Sequence, residues 1–270
     1  MTPSAHQVLL HIFDCLEMIL LDLPAATLLA CAQRVCKAWH NTIATSPRLQ
    51  RKIFLSPSSG REGRSRTPNP LLATSFPRFF TTSLYDHAGP DEVLESLGVP
   101  GEVQGILQRP KQEQPPLLRT GASWRRMFPE YPITFKLGLI EARVMVDLVS
   151  YHSGILDVPY GVTMGKLFDT VYTMFLGRDT FADRFCIYWR DKTRDPRVTP
   201  SSYIYGKEEI ALSTFPSDVT IVIFTHIYDG DLALLPESKA DLNPQYMPAD
   251  FDLSLVDLQL AFSRFEYPFE

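Results

Sequence analysis

The run from Ile12 to Leu55 constrains this chain most, because nowhere else is so much apolar surface gathered into so short a length of helical pattern. Within "IFDCLEMILLDLP", Leu16, Ile19, Leu20 and Leu23 recur at i, i+3, i+4 and i+7, the stripe of one helix face. The opposite side is not polar either. Met18 and Leu21 lie there, and only Asp14, Glu17 and Asp22 break the apolar character, so more than one side of this helix can be buried. Pro24 ends it, since proline lacks the N–H that would continue the ladder. Thr27 is expected to cap the next helix through its hydroxyl. Val35, Trp39 and Ile43 then recur every four residues with Cys36 beside them, and Pro47 is expected to stop a third helix. A unit of about 45 residues buries a low fraction of its chain's area. Its apolar surplus therefore asks for a partner.

On these residues the chain resembles the F-box family, whose pattern runs from a leucine-rich helix through L-P and L-L to V-C-K-x-W. The matching residues are Leu16, Ile19, Leu20, Leu23, Pro24, Leu28, Leu29, Val35, Cys36, Lys37 and Trp39. Phe13 stands where the family usually has a proline, and Thr27 where it often has an aspartate. An ordinary helical hairpin with inward leucines would satisfy the helical period alone. The V-C-K-x-W element and its spacing favour the F-box.

The resemblance implies a three-helix F-box over residues 8–55 that docks onto a Skp-type adaptor and, through it, a cullin scaffold of an SCF-type ubiquitin ligase. It implies an adaptor-binding set of Ile12, Phe13, Leu16, Ile19, Leu20, Leu23, Pro24, Leu28, Val35, Cys36 and Trp39. Leu16, Leu20 and Pro24 are expected to face the adaptor, with Trp39 fixing the three helices. Many fungal F-box proteins also carry an alanine-serine-tryptophan-arginine-arginine-methionine run, matched here by Ala122 to Met127. The likeness thus extends into the second half, where it implies a protein substrate but names none. Cytoplasm or nucleus is the compartment implied.

A hydrophobic content of 45% with 21% charged residues is ordinary for a globular protein, and 270 residues suit one or two domains. Net charge −5 and pI near 5.7 argue against nucleic acid as the main partner, which needs a basic footprint. No membrane partner is expected, since about 18 uncharged apolar residues in a row do not occur. A basic start followed by an apolar run is lacking too, which speaks against a signal peptide. Cys15, Cys31 and Cys36 crowd into the helical run, where they read as small buried apolar groups suited to a reducing compartment.

Residues 56–120 read as a flexible or irregular linker. "SPSSGREGRSRTPNP" from Ser56 to Pro70 has no apolar period and is expected to be disordered. Thr67 before Pro68 has the form of a proline-directed phosphate acceptor, although a solvated linker with an incidental Thr-Pro accounts for it more simply. "LLATSFPRFF" restores apolar residues and is expected to fold back on a domain. "DEVLESL", between Asp86 and Gly121, has the look of a helical turn or two.

Residues 121–270 read as an α+β domain. Trp124, Met127 and Phe128 sit at helical spacing before Pro129. "YPITFKLGLIEARVMVDLVSYHSG" fits one or two strands, or a strand leading to a helix. Met164, Leu167, Phe168, Val171, Tyr172, Phe175 and Leu176 form a continuous helical stripe that Thr163 can cap and Gly177 can close. "DRFCIYWR" and "DVTIVIFTHIYDGD" read as strands, the second ending in an Asp-Gly turn. "SLVDLQLAFSRF" reads as a last helix with Leu255, Leu258 and Phe262 on one face. A helix packed on a small sheet, near Phe185 and Val219, covers these faces.

No catalytic, metal or cofactor site emerges. His11 and Cys15 are four apart, as are Cys36 and His40, yet neither pair finds the further ligands that a closed zinc site needs, and His6, His87, His152 and His226 are scattered. Asp229 and Asp231 flank Gly230 without the spacing of a calcium loop. Arg125 and Arg126 suit phosphate or an acidic peptide, or more simply a solvated helix face with surface acids. The arginines from Arg178 to Arg197 alternate with aspartates that offset their charge. The sequence thus points to a non-catalytic adaptor, in a ubiquitin ligase or in some other assembly.

Overall fold

The structure, a computed structural model, describes residues 5–57, 66–80, 119, 121–144, 149–176, 182–190, 215–228 and 262–265. It is a mixed helix-and-sheet protein whose N-terminal stretch is helical. "DEVLESL", Gly177, the Asp229–Asp231 turn and residues 253–261 lie outside the described residues.

The helices come first. Helix α1 (Ala5–Asp22) stops short of Pro24 and is followed by α2 (Ala25–Ala30), a 3-10 turn (Ala32–Arg34), α3 (Lys37–Thr45) and α4 (Pro47–Lys52). Two expectations are corrected here. Pro24, not Thr27, occupies the position before α2, and it makes no side-chain cap. Pro47 opens a fourth helix instead of ending the third, because Ser46 caps it by accepting from the Leu49 N–H at 3.2 Å and a proline suits the first helical position. Leu20, Leu28, Ala32, Ile43, Leu49 and Ile53 form the core of this unit, with Leu16, Leu23 and Trp39 packed against it. Glu17, one of the acids that interrupt α1, accepts from the Ser46 hydroxyl and pairs with Arg48 at 3.5 Å.

The second half is a five-stranded sheet with one long helix. Strands β3 (Lys136–Val144) and β4 (Val149–Asp157) form an antiparallel pair, α6 (Met164–Leu176) follows, and then come β5 (Ala182–Trp189), β6 (Ile221–Tyr228) and β7 (Phe262–Phe265). The order across the sheet is β5-β6-β3-β4-β7, with β6 parallel to β3 and the other pairings antiparallel. Strand period two sorts the side chains onto two faces. Leu137, Leu139, Phe185, Ile187, Ile221 and Ile223 face α6, whose Met164, Leu167, Phe168, Val171 and Tyr172 are all buried against them. The Thr163 hydroxyl accepts from the Lys166 N–H at 3.2 Å and caps that helix as its sequence suggests.

Ile140, Ala142, Tyr151, Cys186, Val222 and Phe224 face the other way and form a second cluster with Phe215 and Val219. Val219 therefore lies across the sheet from α6, not against it, which corrects its expected place. Gly138 is small for this cluster's sake, since a Cβ there would lie 2.9 Å from Val222 Cγ2 and 3.0 Å from Val219 Cγ1. Arg190 holds the segment that carries Phe215 and Val219, donating to the carbonyls of Phe215, Pro216 and Val219 at 2.9–3.3 Å. Its charge is thus met by backbone oxygens, while its neighbour Asp191 lies outside the described residues.

The C-terminal segment corrects a further expectation. Phe262 to Phe265 is a strand, with Phe262 opposite Gly154 and Phe265 opposite Tyr151. A helix-like spacing of three apolar residues was a weak signal against the open edge of β4, which offers backbone partners to an aromatic segment.

Residues 66–80 of the expected linker are ordered. Thr67–Pro68 (β1) pairs with Glu130–Tyr131 (β2), and Asn69, fully buried, caps α5 (Pro70–Ser75) by accepting from the Leu71 and Leu72 N–H groups. Its amide also donates to the Phe128 carbonyl at 3.1 Å. Leu72, Phe76 and Phe79 then enter the cluster beneath α6, as the fold-back of "LLATSFPRFF" anticipates. Physically, one buried amide with three backbone partners outweighs the polar composition around it.

Ser123–Arg126 forms a 3-10 turn that places Trp124 and Met127 in the same cluster. Arg125 lies over the Trp124 and Phe168 rings and pairs with the buried Asp169 of α6. It is a largely buried ion pair, not part of a solvated face, whereas Arg126 is exposed. Gly165 lets that turn approach, because a Cβ there would sit 2.7 Å from the Arg125 carbonyl oxygen.

Candidate functional site

The helical unit has its own core and still leaves apolar side chains outside. Helix α1 turns about 100° per residue, so Leu20 is fully buried while Ile19 is 56% and Met18 57% exposed. Phe13 is 45% and Val35 60% exposed. Among the described residues only Phe135 and Tyr160 join these four as large exposed hydrophobics. Among the described residues the exposed large apolar side chains are therefore concentrated between Phe13 and Val35.

The implied adaptor-binding set divides on these grounds. Phe13, Ile19, Pro24, Val35 and Cys36 are exposed, Leu16, Leu23 and Trp39 are half-buried, and Leu20 and Leu28 belong to the core. Ile12 lies within α1, with its side chain outside the described residues. The expectation that Leu20 faces outward is overturned, because its position on α1 directs it at Leu28, Ile43 and Leu49. Val35 also departs from the Val35-Trp39-Ile43 stripe. The 3-10 turn before it and the extended backbone of Cys36 (φ −162°, ψ 169°) break the helical phase, so Val35 turns outward while Ile43 turns in.

The cysteines invert their expectation. Cys15, Cys31 and Cys36 are exposed free thiols, and Cys186, on β5, is the buried one. Cys36 serves as the residue before α3, its carbonyl accepting from the His40 N–H at 3.1 Å. Among the described residues no group of three or more His, Cys, Asp or Glu is placed to hold a metal, and no helix is long and apolar enough to cross a membrane.

The helical unit does not hang free of the sheet. The Phe54 ring stacks on Tyr131 with centroids 4.4 Å apart, and the Phe128 N–H donates to the Phe54 carbonyl at 2.8 Å. The Tyr131 hydroxyl reaches the carbonyls of Ser56 at 2.6 Å and Arg51 at 3.2 Å. Leu29 and Leu55 pack against both cores. Phe54 holds a left-handed backbone (φ 59°), which costs a residue with a side chain about 1–2 kcal/mol. The stack and the hydrogen bond at the same residue offset that strain. The sequence signals at this seam were faint: only the Asn-Pro helix start at Asn69 has a recognised form.

Burial pushes the Tyr131 phenol up to about 12, opposed by the nearby Arg51 cation. An unfolded tyrosine ionises near pH 10, so the folded state prefers the neutral phenol. The stability it contributes is present below pH 10 and is lost as pH rises from about 10 to about 12. Tyr131→Phe should cost about 0.5–1.5 kcal/mol at neutral pH through the lost hydroxyl bonds. It should also remove the loss of stability between those two pH values. Urea denaturation of both proteins at pH 8 and pH 11 reads both effects, and equal curves at both pH values would contradict the seam geometry.

Compared with known proteins, the chain matches no family model, no curated protein and no solved structure. The residues themselves must carry the functional reading.

Proposed function

We propose that the helical unit is an F-box and that the chain is the substrate-recognition subunit of an SCF-type ubiquitin ligase. In this reading it binds a Skp-type adaptor, and through it the cullin scaffold, by the exposed face that includes Phe13, Ile19 and Val35, while the sheet domain holds a protein substrate. The observation that carries the reading is the concentration of exposed apolar side chains on a unit that already has a closed core. Exposed apolar side chains concentrated on one small helical unit support a contact with another protein that would cover them. Two of them, Ile19 and Val35, are among the residues that match the L-P to V-C-K-x-W pattern, which supplies the kind of partner. The rigid seam then gives the substrate a fixed position relative to the adaptor, as transfer between two bound proteins requires.

The test uses the full chain, because Leu55 and Leu29 belong partly to the sheet domain's core. Purified chain is mixed with a Skp-type adaptor, alone and with cullin, and complexes are resolved by size-exclusion chromatography and calorimetry. The wild type should bind adaptor and recruit cullin. Ile19→Asp and Val35→Asp should each weaken adaptor binding about 30-fold or more, as loss of a central anchor does, with unchanged melting. Adaptor binding without cullin recruitment would favour an F-box-like interaction protein outside a ligase. A wild-type chain that binds no Skp-type adaptor would end the ligase reading.

A further inference from the structure

Thr67 is not in a solvated linker. It is exposed, as is Pro68, and both are held extended in β1 at the seam between the helices and the sheet. Its cross-strand partner is Tyr131, and directly opposed residues of an antiparallel pair project to the same side. On that side lie the Tyr131 ring, the Phe54 ring stacked on it and the end of α4, whose Arg51 and Ser56 carbonyls receive the Tyr131 hydroxyl. Thr67 thus stands beside the junction on which the orientation of the two units depends.

Cations stand among the described residues at that junction. Arg51 acts on the Tyr131 phenol through its cationic field, and among the described residues it has no acidic partner. Lys52 follows it, its ammonium donating to the Leu21 carbonyl. Arg66 is already engaged by the buried Glu130 at 3.2 Å, and Glu130 also accepts from the Thr220 hydroxyl. Arg66 and Glu130 are the chain neighbours of Thr67 and Tyr131 and project to the opposite side, which leaves Arg51 as the described cation that acts on the phenol from the Thr67 side.

We propose that Thr67 is the acceptor of a proline-directed protein kinase and that its phosphate, once in place, is captured by Arg51 and clamps the helical unit onto the sheet domain. In the transfer, Thr67 Oγ1 bonds to the γ-phosphorus of ATP, the bond from that phosphorus to the β–γ bridging oxygen breaks, ADP leaves, and the hydroxyl proton passes to the kinase's base. The product carries about −1.5 to −2 charge and three acceptor oxygens, which suit a planar guanidinium. Pro68 supplies the residue after the acceptor that such kinases require, and its exposure leaves it open to them. The same dipeptide form at Ser46–Pro47 provides a contrast, since Ser46 is buried and its hydroxyl donates to Glu17. This inference is independent of the adaptor reading, because it concerns only the chain's internal seam.

The experiment treats the native full chain with a purified proline-directed kinase and MgATP, followed by peptide mapping. Mapping separates Thr67 from the other Ser-Pro and Thr-Pro sites at Thr2, Ser46, Ser56 and Thr199. Phosphate should appear at Thr67 and not at Ser46. The phosphorylated chain should melt about 2–4 °C above the unmodified one, the shift expected for one new strong contact in a protein of this size. In Arg51→Gln, phosphate should still be incorporated but the melting increment should vanish, each variant being compared with its own unmodified form. Thr67→Ala should keep the unmodified melting temperature and lose the increment. Phosphate that fails to appear at Thr67 in the native chain would overturn the acceptor assignment. An increment that survives in Arg51→Gln, or its absence from the phosphorylated wild type, would overturn the clamp.

Discussion

Phe168→Ala should lower the unfolding free energy by about 3–5 kcal/mol, the range for truncating a buried aromatic side chain. Phe168 is almost fully buried on α6, and four rings surround it: Tyr172 with centroids 4.3 Å away, Trp124 at 5.3 Å, Phe79 at 5.8 Å and Phe76 at 6.4 Å. These rings come from three separate segments of chain, so the vacated space cannot close by one segment's adjustment. The Arg125 cation above the same ring would also lose a contact. Urea denaturation followed by circular dichroism measures the effect. A variant that unfolds at the wild-type midpoint would mean that α6 does not join the 76–79 and 124–127 segments to the sheet.

That prediction rests on a part of the fold the sequence announces clearly. The stripe from Met164 to Tyr172 is long, continuous and capped by Thr163, and the β-branched run before Tyr228 leaves little choice but a strand. Local pattern is enough there because local pattern and tertiary burial agree. It fails where distant contacts decide. Nothing within "SRTPNP" announces that Asn69 will be fully buried against Phe128, because the partner lies some sixty residues away. The same holds for Phe262 to Phe265, whose state depends on a free edge of β4. Arg125 reads as a surface charge until Asp169, forty-four residues on, is brought beneath it.

The candidate docking face is legible in a different degree. Its location in the helical run follows from apolar surplus in a small unit, and the exposed Phe13, Ile19 and Val35 agree with that. Which leucines point outward does not follow, because α1 is apolar around most of its circumference and a stripe alone does not say which side meets α3 and α4. The pattern at Val35 misleads for a related reason. A spacing of four residues implies a common face only if the helix is continuous, and the turn through Cys36 interrupts it.

The helical phase of α1 makes adjacent substitutions diverge. Leu20→Asp should unfold the helical unit, because it replaces a fully buried side chain with a carboxylate among Leu28, Ile43 and Leu49 that finds no cationic partner in that core. Losing the burial of one leucine costs about 2–5 kcal/mol, and an unpaired buried charge adds to it until the segment opens to water. Ile19→Asp, one residue away, should leave the fold intact, since its side chain already meets solvent. Circular dichroism and hydrogen exchange over α1 to α4 distinguish the two: amide protection should collapse in the Leu20 variant and persist in the Ile19 variant. The reverse pattern would mean that α1 is rotated by about one residue from the phase seen here. Loss of adaptor binding carries information about the interface only in the variant that stays folded. Ile19 therefore tests the docking face, and Leu20 tests the core that supports it.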